Sequence, residues 1–214
     1  MNLFFLYKKF RSDLTDSKIN SLSFSFALHC KMWISHHILK LDTVTAGCMW
    51  ASYPLHQFLH SLKLKDKNVL EFGSGGSTVF FLKRKAILLT FEHSDIWIAK
   101  LNKKLKTYDN WKINLVDFIN RETNKNGHEK YLKGIEAIED NSLDIVLVDG
   151  RHRVECVRAS IPKVKKNGYV ILDDSDRTCY SESSEILKEW KFFVISGYAY
   201  KSDFKTHSTV WKKP

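Results

Sequence analysis

Hydrophobic positions become regular from residue 54 onward. Leu55, Phe58 and Leu59 recur at helical spacing behind Pro54, and proline suits the first turn of a helix. From there, short apolar runs that are typical of strands alternate with helical segments. The predicted strands cover residues 68–72, 87–92, 111–115, 144–148, 169–172, 192–195 and 208–211. This alternation predicts an α/β protein, a Rossmann-like three-layer sandwich with a mostly parallel seven-stranded sheet.

Both ends of the chain depart from the alternation. No helix separates the last two predicted strands, so they should pair antiparallel.

The middle and the beginning of the chain carry two further predictions. A predicted helix at residues 95–105 should turn Ile96, Ile98 and Leu101 inward. Residues 1–50 are aromatic and serine-rich with weak periodicity. We therefore expect an N-terminal extension or cap of short helices over 1–50 and one ligand-binding domain over 51–214.

The composition indicates a globular protein of one domain and does not indicate a particular function. The 214 residues are 43% hydrophobic, enough for one packed domain. The apolar run from Leu3 to Tyr7 is too short to span a bilayer, and the four cysteines form no CxxC pair. We therefore expect a cytoplasmic protein with no membrane span. The net charge of +10 comes mostly from dispersed lysines, which does not favour a nucleic-acid partner.

Acidic residues gather at the predicted carboxyl ends of the strands, where ligands bind in open α/β sheets. They are Glu71, Glu92, Asp117, Asp149, Asp173 and Asp174. Acids there suit a ligand that carries positive charge and ribose hydroxyls, whereas a phosphate-rich ligand would prefer amides and cations. The sequence thus predicts a nucleoside-like, positively charged ligand.

A glycine turn follows the first predicted strand and runs through Gly73, Ser74, Gly75 and Gly76. Glycine lets a backbone approach a ligand closely. Glu92 ends the second strand 19 positions after Gly73, where an acid accepts hydrogen bonds from ribose hydroxyls. Glu71 lies two positions before the first glycine, where its carboxylate could meet an ammonium group of the ligand or bind the amides of the turn. Both alternatives stay open.

These motifs together resemble the class I S-adenosylmethionine-dependent methyltransferases. The resemblance covers Asn68 to Trp211. Within it, Val148-Asp-Gly-Arg-His152 and the segment from Asn167 to Asp174 are similar to a branch of small O-methyltransferases that act on sugars or natural products. The chain departs from that branch at Arg151, Arg153 and Asn167. Asparagine tolerates a left-handed backbone, so the turn at Asn167 should survive.

The resemblance implies S-adenosylmethionine as cofactor and a role for each motif. Glu71 and the turn from Gly73 to Gly76 would hold the methionine part, and Glu92 would hold the ribose. Asp117 or Phe118 would contact the adenine edge. The acceptor would be a small or sugar-like molecule, methylated on oxygen.

A hydroxyl acceptor must also lose its proton, and His152 with Asp149 is the nearest candidate base. Asp149, Asp173 and Asp174 could instead hold Mg²⁺. We favour the alternative that these carboxylates only form hydrogen bonds, so no metal site is predicted.

Three arginines lie beside the predicted site, at Arg151, Arg153 and Arg177. Guanidinium groups pair with carboxylate or phosphate, which suggests an acidic acceptor. The alternative is that they point to solvent or pair with the neighbouring aspartates.

Two other classes of function remain alternatives. An NAD-dependent oxidoreductase would share the glycine turn and Glu92, but the third glycine of GxGxxG is Thr78 here. A cofactor-binding protein without catalysis would carry the same motifs. The Pro-Pro-aromatic and Pro-Cys motifs expected of nucleic-acid methyltransferases are absent from the sequence, and Asp149-Gly150 follows the fourth strand instead.

Overall fold

A seven-stranded sheet organises the chain in the computed structural model, which describes Lys8, residues 26–116, 127–200, 202 and 204–214. The strands are β1 (Asn68–Phe72), β2 (Ile87–Glu92), β3 (Trp111–Leu115), β4 (Leu143–Val148), β5 (Val164–Asp173), β6 (Lys191–Tyr198) and β7 (Lys205–Lys212). The helices are α1 (Phe26–His37), α2 (Thr43–Ala46), α3 (Tyr53–Ser61), α4 (Gly76–Lys83), α5 (Asp95–Leu105), α6 (Gly127–Glu136), α7 (Arg153–Ser160) and α8 (Glu182–Ile186), with a 3-10 turn at Thr178–Tyr180.

The strand order is β3-β2-β1-β4-β5-β7-β6. Strands β1 to β5 pair in parallel, and β7 runs antiparallel to both of its neighbours, β5 and β6. The predicted Rossmann-like sheet with an antiparallel last strand is therefore confirmed. The order reverses between β1 and β4, so their carboxyl ends border one crevice.

The inner strands contribute side chains to two hydrophobic cores, one on each face of the sheet, because successive side chains of a strand point to opposite faces. In β4, Ile145 and Leu147 pack with α3, α4 and α5 on one face. Val146 and Val148 pack with residues of α6 and α7 on the other. The near-continuous apolar runs of β1 and β4 are explained by this burial on both sides. The result is the predicted three-layer sandwich.

Two local expectations differ from the structure. Ile96 is 80% exposed, so its predicted inward position is wrong. Instead, α5 packs through the stripe of Trp97, Leu101 and Leu105, which repeats every four residues. In addition, β5 already begins at Val164, so Asn167 lies within the strand at an irregularity rather than before it. Its φ of 64° confirms the left-handed backbone expected there.

Residues 42–52 lie against the sandwich. The Ser52 to Ala199 bridge and the bond from the Tyr200 N–H to the Ala51 carbonyl (3.0 Å) attach this segment next to the end of β6. Met32 and Trp33 of α1 share a small buried cluster with Tyr200. The division at residue 50 stays a prediction, yet these contacts bring residues of the predicted cap next to the crevice.

Candidate cofactor-binding site

The glycine turn joins β1 to α4 where three strand ends meet. Gly73 has a φ of 86°, and its N–H donates to the Phe91 carbonyl of β2 at 2.9 Å. The Asp149 N–H after β4 donates to the Phe72 carbonyl at 3.0 Å. A Cβ on Gly73 would lie 2.9 Å from the Asp149 carbonyl oxygen. Glycine at position 73 therefore permits both the left-handed backbone and the close approach of β1 to β4.

Glu71 is buried beneath this turn. Its Oε2 accepts hydrogen bonds from the hydroxyls of Thr78 (2.7 Å) and Thr90 (3.0 Å), and the Thr78 hydroxyl oxygen accepts from the Gly75 N–H at 2.9 Å. Burial raises the pKa of Glu71 to about 7, although the surrounding hydroxyls lower it. These contacts hold the turn in shape, which is one of the two roles left open by the sequence. Contact with the methionine part of a cofactor stays a prediction.

Glu92 ends β2 on the other side of the turn. Its Oε2 accepts from the N–H and the hydroxyl of Ser74, at 2.7 and 2.6 Å, and its Oε1 accepts from the N–H groups of His93 (2.8 Å) and Ser94 (3.0 Å). Burial by itself raises the pKa of Glu92, but the His93 side chain, whose Nδ1 lies 2.9 Å from Oε1, and these donors outweigh it and lower the pKa to about 2. The carboxylate is thus charged and anchored at the rim of the crevice.

A cavity of about 850 Å³ opens above these residues. Its volume lies within the usual range for small-molecule and cofactor sites, about 300 to 1,000 Å³. The cofactor and catalytic residues predicted from the sequence that line it are Gly73, Ser74, Gly75, Gly76, Glu92 and Asp149, and the three arginines expected beside the site, Arg151, Arg153 and Arg177, line it as well. Glu71 and His152 are not among its lining residues. Asp117 and Phe118, predicted for the adenine edge, lie outside the described residues.

Four lining residues lie in segments that the sequence analysis did not link to the site: Asp42, Thr43, Trp50 and Trp97. Asp42 carried a recognisable signal, because its side chain caps α2 by accepting from the N–H groups of Val44 and Thr45. The Trp97 Nε1–H donates to the Ser74 carbonyl at 2.7 Å and so fixes the ring beside the turn. Neither this contact nor the position of Trp50 follows from a local pattern.

Charged side chains cluster at the ends of β4 and β5. The buried Arg153 guanidinium donates to the Asp149 carboxylate (2.9 Å) and to the carbonyls of Asp173 (2.6 Å) and Gly150 (3.1 Å). The Arg177 guanidinium donates to the Asp174 carboxylate at 2.5 Å. Two of the three arginines are therefore paired with aspartates, an alternative that the sequence left open.

Asp173 and Asp149 lie close to these guanidinium groups. Burial, followed by the neighbouring carboxylates, raises the pKa of both, whereas Arg153 lowers it. Among the residues that the structure describes, no group of three histidine, cysteine, aspartate or glutamate side chains is arranged to hold a metal ion. Within the same part of the chain, no helix combines the length and apolarity that a membrane span needs.

Sequence comparison identifies no matching protein-family model and no matching curated protein. Comparison of the fold does find similar structures. A methyltransferase-like protein from Silicibacter pomeroyi is 18% identical with a TM-score of 0.56, and the match covers 78% of this chain and 89% of that one. Spermidine synthase from Thermotoga maritima is 16% identical with a TM-score of 0.54, over 81% of this chain and 60% of that one.

The third similar structure is Aeropyrum pernix fibrillarin, solved with natively bound S-adenosyl-L-methionine. It is 16% identical with a TM-score of 0.53, and the match covers 74% of this chain and 72% of that one. At these identities the likeness concerns the fold. It agrees with the strand order, the reversal between β1 and β4 and the antiparallel β7. The chain therefore has the fold of the class I S-adenosylmethionine-dependent methyltransferases.

Proposed function

We propose that this protein is an S-adenosylmethionine-dependent methyltransferase that methylates an oxygen of a small acceptor. The observation that carries the proposal is the cavity at the ends of β1, β2 and β4. The glycine turn forms one side of it, and the carboxylates of Glu92 and Asp149 both line it. This combination of close backbone and negative charge suits a nucleoside that also carries a positive sulfonium.

The residues present fit that cofactor. Glu92 would hold the ribose, because an anchored carboxylate is a strong acceptor for hydroxyl donors. Ser74 already donates twice to Oε2, and Oε1 accepts from two N–H groups and lies 2.9 Å from His93 Nδ1, so we expect a ribose hydroxyl to replace the Ser74 hydroxyl. The exposed backbone of the Gly73 to Gly76 turn would face the amino-acid part, with Glu71 holding the turn from beneath.

When bound, S-adenosylmethionine supplies a methyl group that passes to the acceptor oxygen as the electron pair of the carbon–sulfur bond returns to sulfur, leaving the acceptor's proton to a base. We propose Asp149 as the side chain that takes this proton. It lines the cavity at the end of β4, and burial together with nearby carboxylates raises its pKa, which favours proton uptake.

His152 stays a predicted participant. It occupies the position before the first residue of α7 with a φ of 48°, three residues beyond Asp149, and does not line the cavity. The paired states of Arg153 and Arg177 do not favour the acidic acceptor expected from the sequence. Mg²⁺ has no part in this proposal, and the hydrogen bond from Arg153 orients the Asp149 carboxylate.

A thermal-shift panel tests the cofactor class. S-adenosylmethionine and S-adenosylhomocysteine should raise the melting temperature, because a ligand that binds the folded state stabilises it by mass action. NAD and NADP should not. A shift with NAD alone would favour the oxidoreductase alternative, which the fold neighbours do not favour. Binding of S-adenosylmethionine without turnover of any acceptor would favour the non-catalytic alternative.

A further inference from the structure

A second cavity of about 250 Å³ adjoins the first. Trp50, Asp149 and Arg177 line both, so the two spaces meet where the proposed base stands. Sites for drug-sized ligands usually measure about 300 to 1,000 Å³, so this cavity suits a small molecule and not a segment of a macromolecule. Its position beside Asp149 is that of an acceptor site for the proposed reaction.

Carboxyl groups outnumber guanidinium groups among the described residues that line this second cavity. The carboxyl groups of Asp149, Asp173 and Asp174 line it, together with the guanidinium group of Arg177. Arg177 is already paired with Asp174 at 2.5 Å. The Asp173 carboxylate accepts from the Ser208 hydroxyl at 2.6 Å, and no cation lies within ion-pair distance of it among the residues that the structure describes.

The buried Arg153 does not reverse this balance. It approaches Asp149 at 2.9 Å and Asp174 at 3.8 Å, and it reaches Asp173 only through the backbone carbonyl. Within the described part of the chain, three carboxyl groups therefore lie beside two guanidinium groups. Burial and the mutual repulsion of the carboxylates raise the pKa of Asp149 and Asp173. A bound ammonium group would offset this repulsion and an anion would add to it, so the cavity favours a cation.

A buried hydroxyl points independently to a ligand. Thr206 lines the cavity and is 4% exposed, and within the described part of the chain its Oγ1 has no hydrogen-bond partner. Leaving a buried hydroxyl unsatisfied costs free energy, so such groups in folded proteins normally have a partner. A polar atom of a bound molecule would supply one.

Two aromatic rings complete the surroundings. Trp50 and Phe204 line the cavity and are 58% and 59% exposed, unusual for side chains of this size. The Trp50 Nε1–H donates to the Ser202 hydroxyl at 2.5 Å, which fixes the ring. Aromatic faces attract cations, and carboxylates beside aromatic rings form a favourable setting for an ammonium group.

We propose that this second cavity binds the acceptor and selects one that carries an ammonium group beside its hydroxyls, in the manner of an amino sugar. The proposal names the class of acceptor for the function proposed above, and it rests on that function for the identification of the bound molecule as the methyl acceptor. The carboxylates and aromatic rings recognise the cation, and Thr206 recognises a polar atom. An acidic acceptor would meet the excess negative charge.

Three sugars that share a pyranose ring and differ in charge test this selection: glucosamine, glucose and glucuronate. Ligand-observed NMR titrations at neutral pH measure their dissociation constants with the protein alone and with S-adenosylhomocysteine present. Glucosamine should bind at least tenfold more tightly than glucose, and glucuronate should bind most weakly. Ethanolamine and ethylene glycol provide the same comparison for a smaller probe.

Two variants separate recognition of charge from recognition of the polar atom. Asp174→Asn keeps the shape and tolerates the left-handed φ of 52°, and it should reduce the preference for glucosamine over glucose by at least threefold. Thr206→Val should weaken both sugars alike while leaving the melting temperature unchanged or higher. The matched control Asp109→Asn, at an exposed aspartate, should keep the wild-type preference.

Equal binding of the three sugars, tightest binding of glucuronate, or no binding of glucosamine and ethanolamine at millimolar concentration would overturn the proposal. An unchanged preference in Asp174→Asn would overturn it as well. Binding of S-adenosylhomocysteine is measured separately. Its loss together with a retained glucosamine preference would contradict the methyltransferase function and leave the ammonium site standing.

Discussion

Replacement of Glu92 by glutamine should reveal how strongly this carboxylate is held. Hydrogen bonds from Ser74, His93 and Ser94 outweigh burial and lower its pKa from an ordinary 4.5 to about 2. Each unit of pKa corresponds to about 1.4 kcal/mol, so the charged carboxylate contributes about 3 kcal/mol to the free energy of unfolding at pH 6. Glutamine removes that charge while nearly preserving the shape.

The sign of the pH dependence follows from the lowered pKa. The contribution is complete above the unfolded pKa of 4.5 and is lost as the pH falls towards 2. The difference between wild type and Glu92→Gln should therefore fall from about 3 kcal/mol at pH 6 to about 1.4 kcal/mol at pH 3. Groups that do not interact with Glu92 titrate alike in both proteins and cancel in the difference.

Urea unfolding followed by tryptophan fluorescence at several pH values measures this difference. Glu189→Gln, at an exposed glutamate next to a buried tryptophan, is the matched control and should change stability by less than about 0.5 kcal/mol throughout. A difference between wild type and Glu92→Gln that stays constant from pH 6 to pH 3 would refute the reasoning, as would a Glu92→Gln protein as stable as wild type at pH 6.

Three further predictions concern the same crevice. Gly76→Ala would place a Cβ 1.7 Å from a backbone carbonyl oxygen of the segment before α3, so urea unfolding should show a loss on the order of 3 kcal/mol, whereas Gly75→Ala, whose nearest contact is 3.8 Å, should lose far less. Ser74→Ala frees an acceptor position for the ribose and should leave calorimetric affinity for S-adenosylhomocysteine equal or higher; a tenfold loss would contradict the exchange of hydroxyls. Asp149→Asn should lower kcat by about 10² to 10⁴ with S-adenosylhomocysteine affinity retained, and His152→Ala should lower it less; the reverse order would assign the base to the histidine.

Local patterns predicted the positions of the glycine turn, Glu92 and Asp149 because strand ends and turns leave strong signatures in a sequence. Ligands of open α/β sheets bind at the carboxyl ends of the strands, so the predicted strand ends and the glycine turn were enough to locate the crevice. The same reasoning failed at Ile96, since the buried stripe of α5 depends on how the helix lies on the sheet. The spacing of hydrophobic residues in the sequence did not determine the rotation of α5 about its own axis.

Local patterns left the partner of Arg153 open. The sequence suggested either an acidic acceptor or a neighbouring aspartate, and folding places Arg153 between Asp149, four positions earlier, and the Asp173 carbonyl. Trp50 belongs to a weakly periodic segment and reaches the crevice only because residues 51 and 52 bind beside the end of β6. Trp50 carries no motif from which this placement could be predicted.

Calorimetric titration of S-adenosylhomocysteine into the wild-type protein, beside an identical titration of NAD, tests the central claim most directly. We predict micromolar binding of S-adenosylhomocysteine and no heat with NAD. Glu92→Ala should weaken the binding at least tenfold, because a hydrogen bond to a charged group contributes about 1.5 to 3 kcal/mol. Absence of heat with S-adenosylhomocysteine, or binding of NAD in its place, would contradict the proposed methyltransferase.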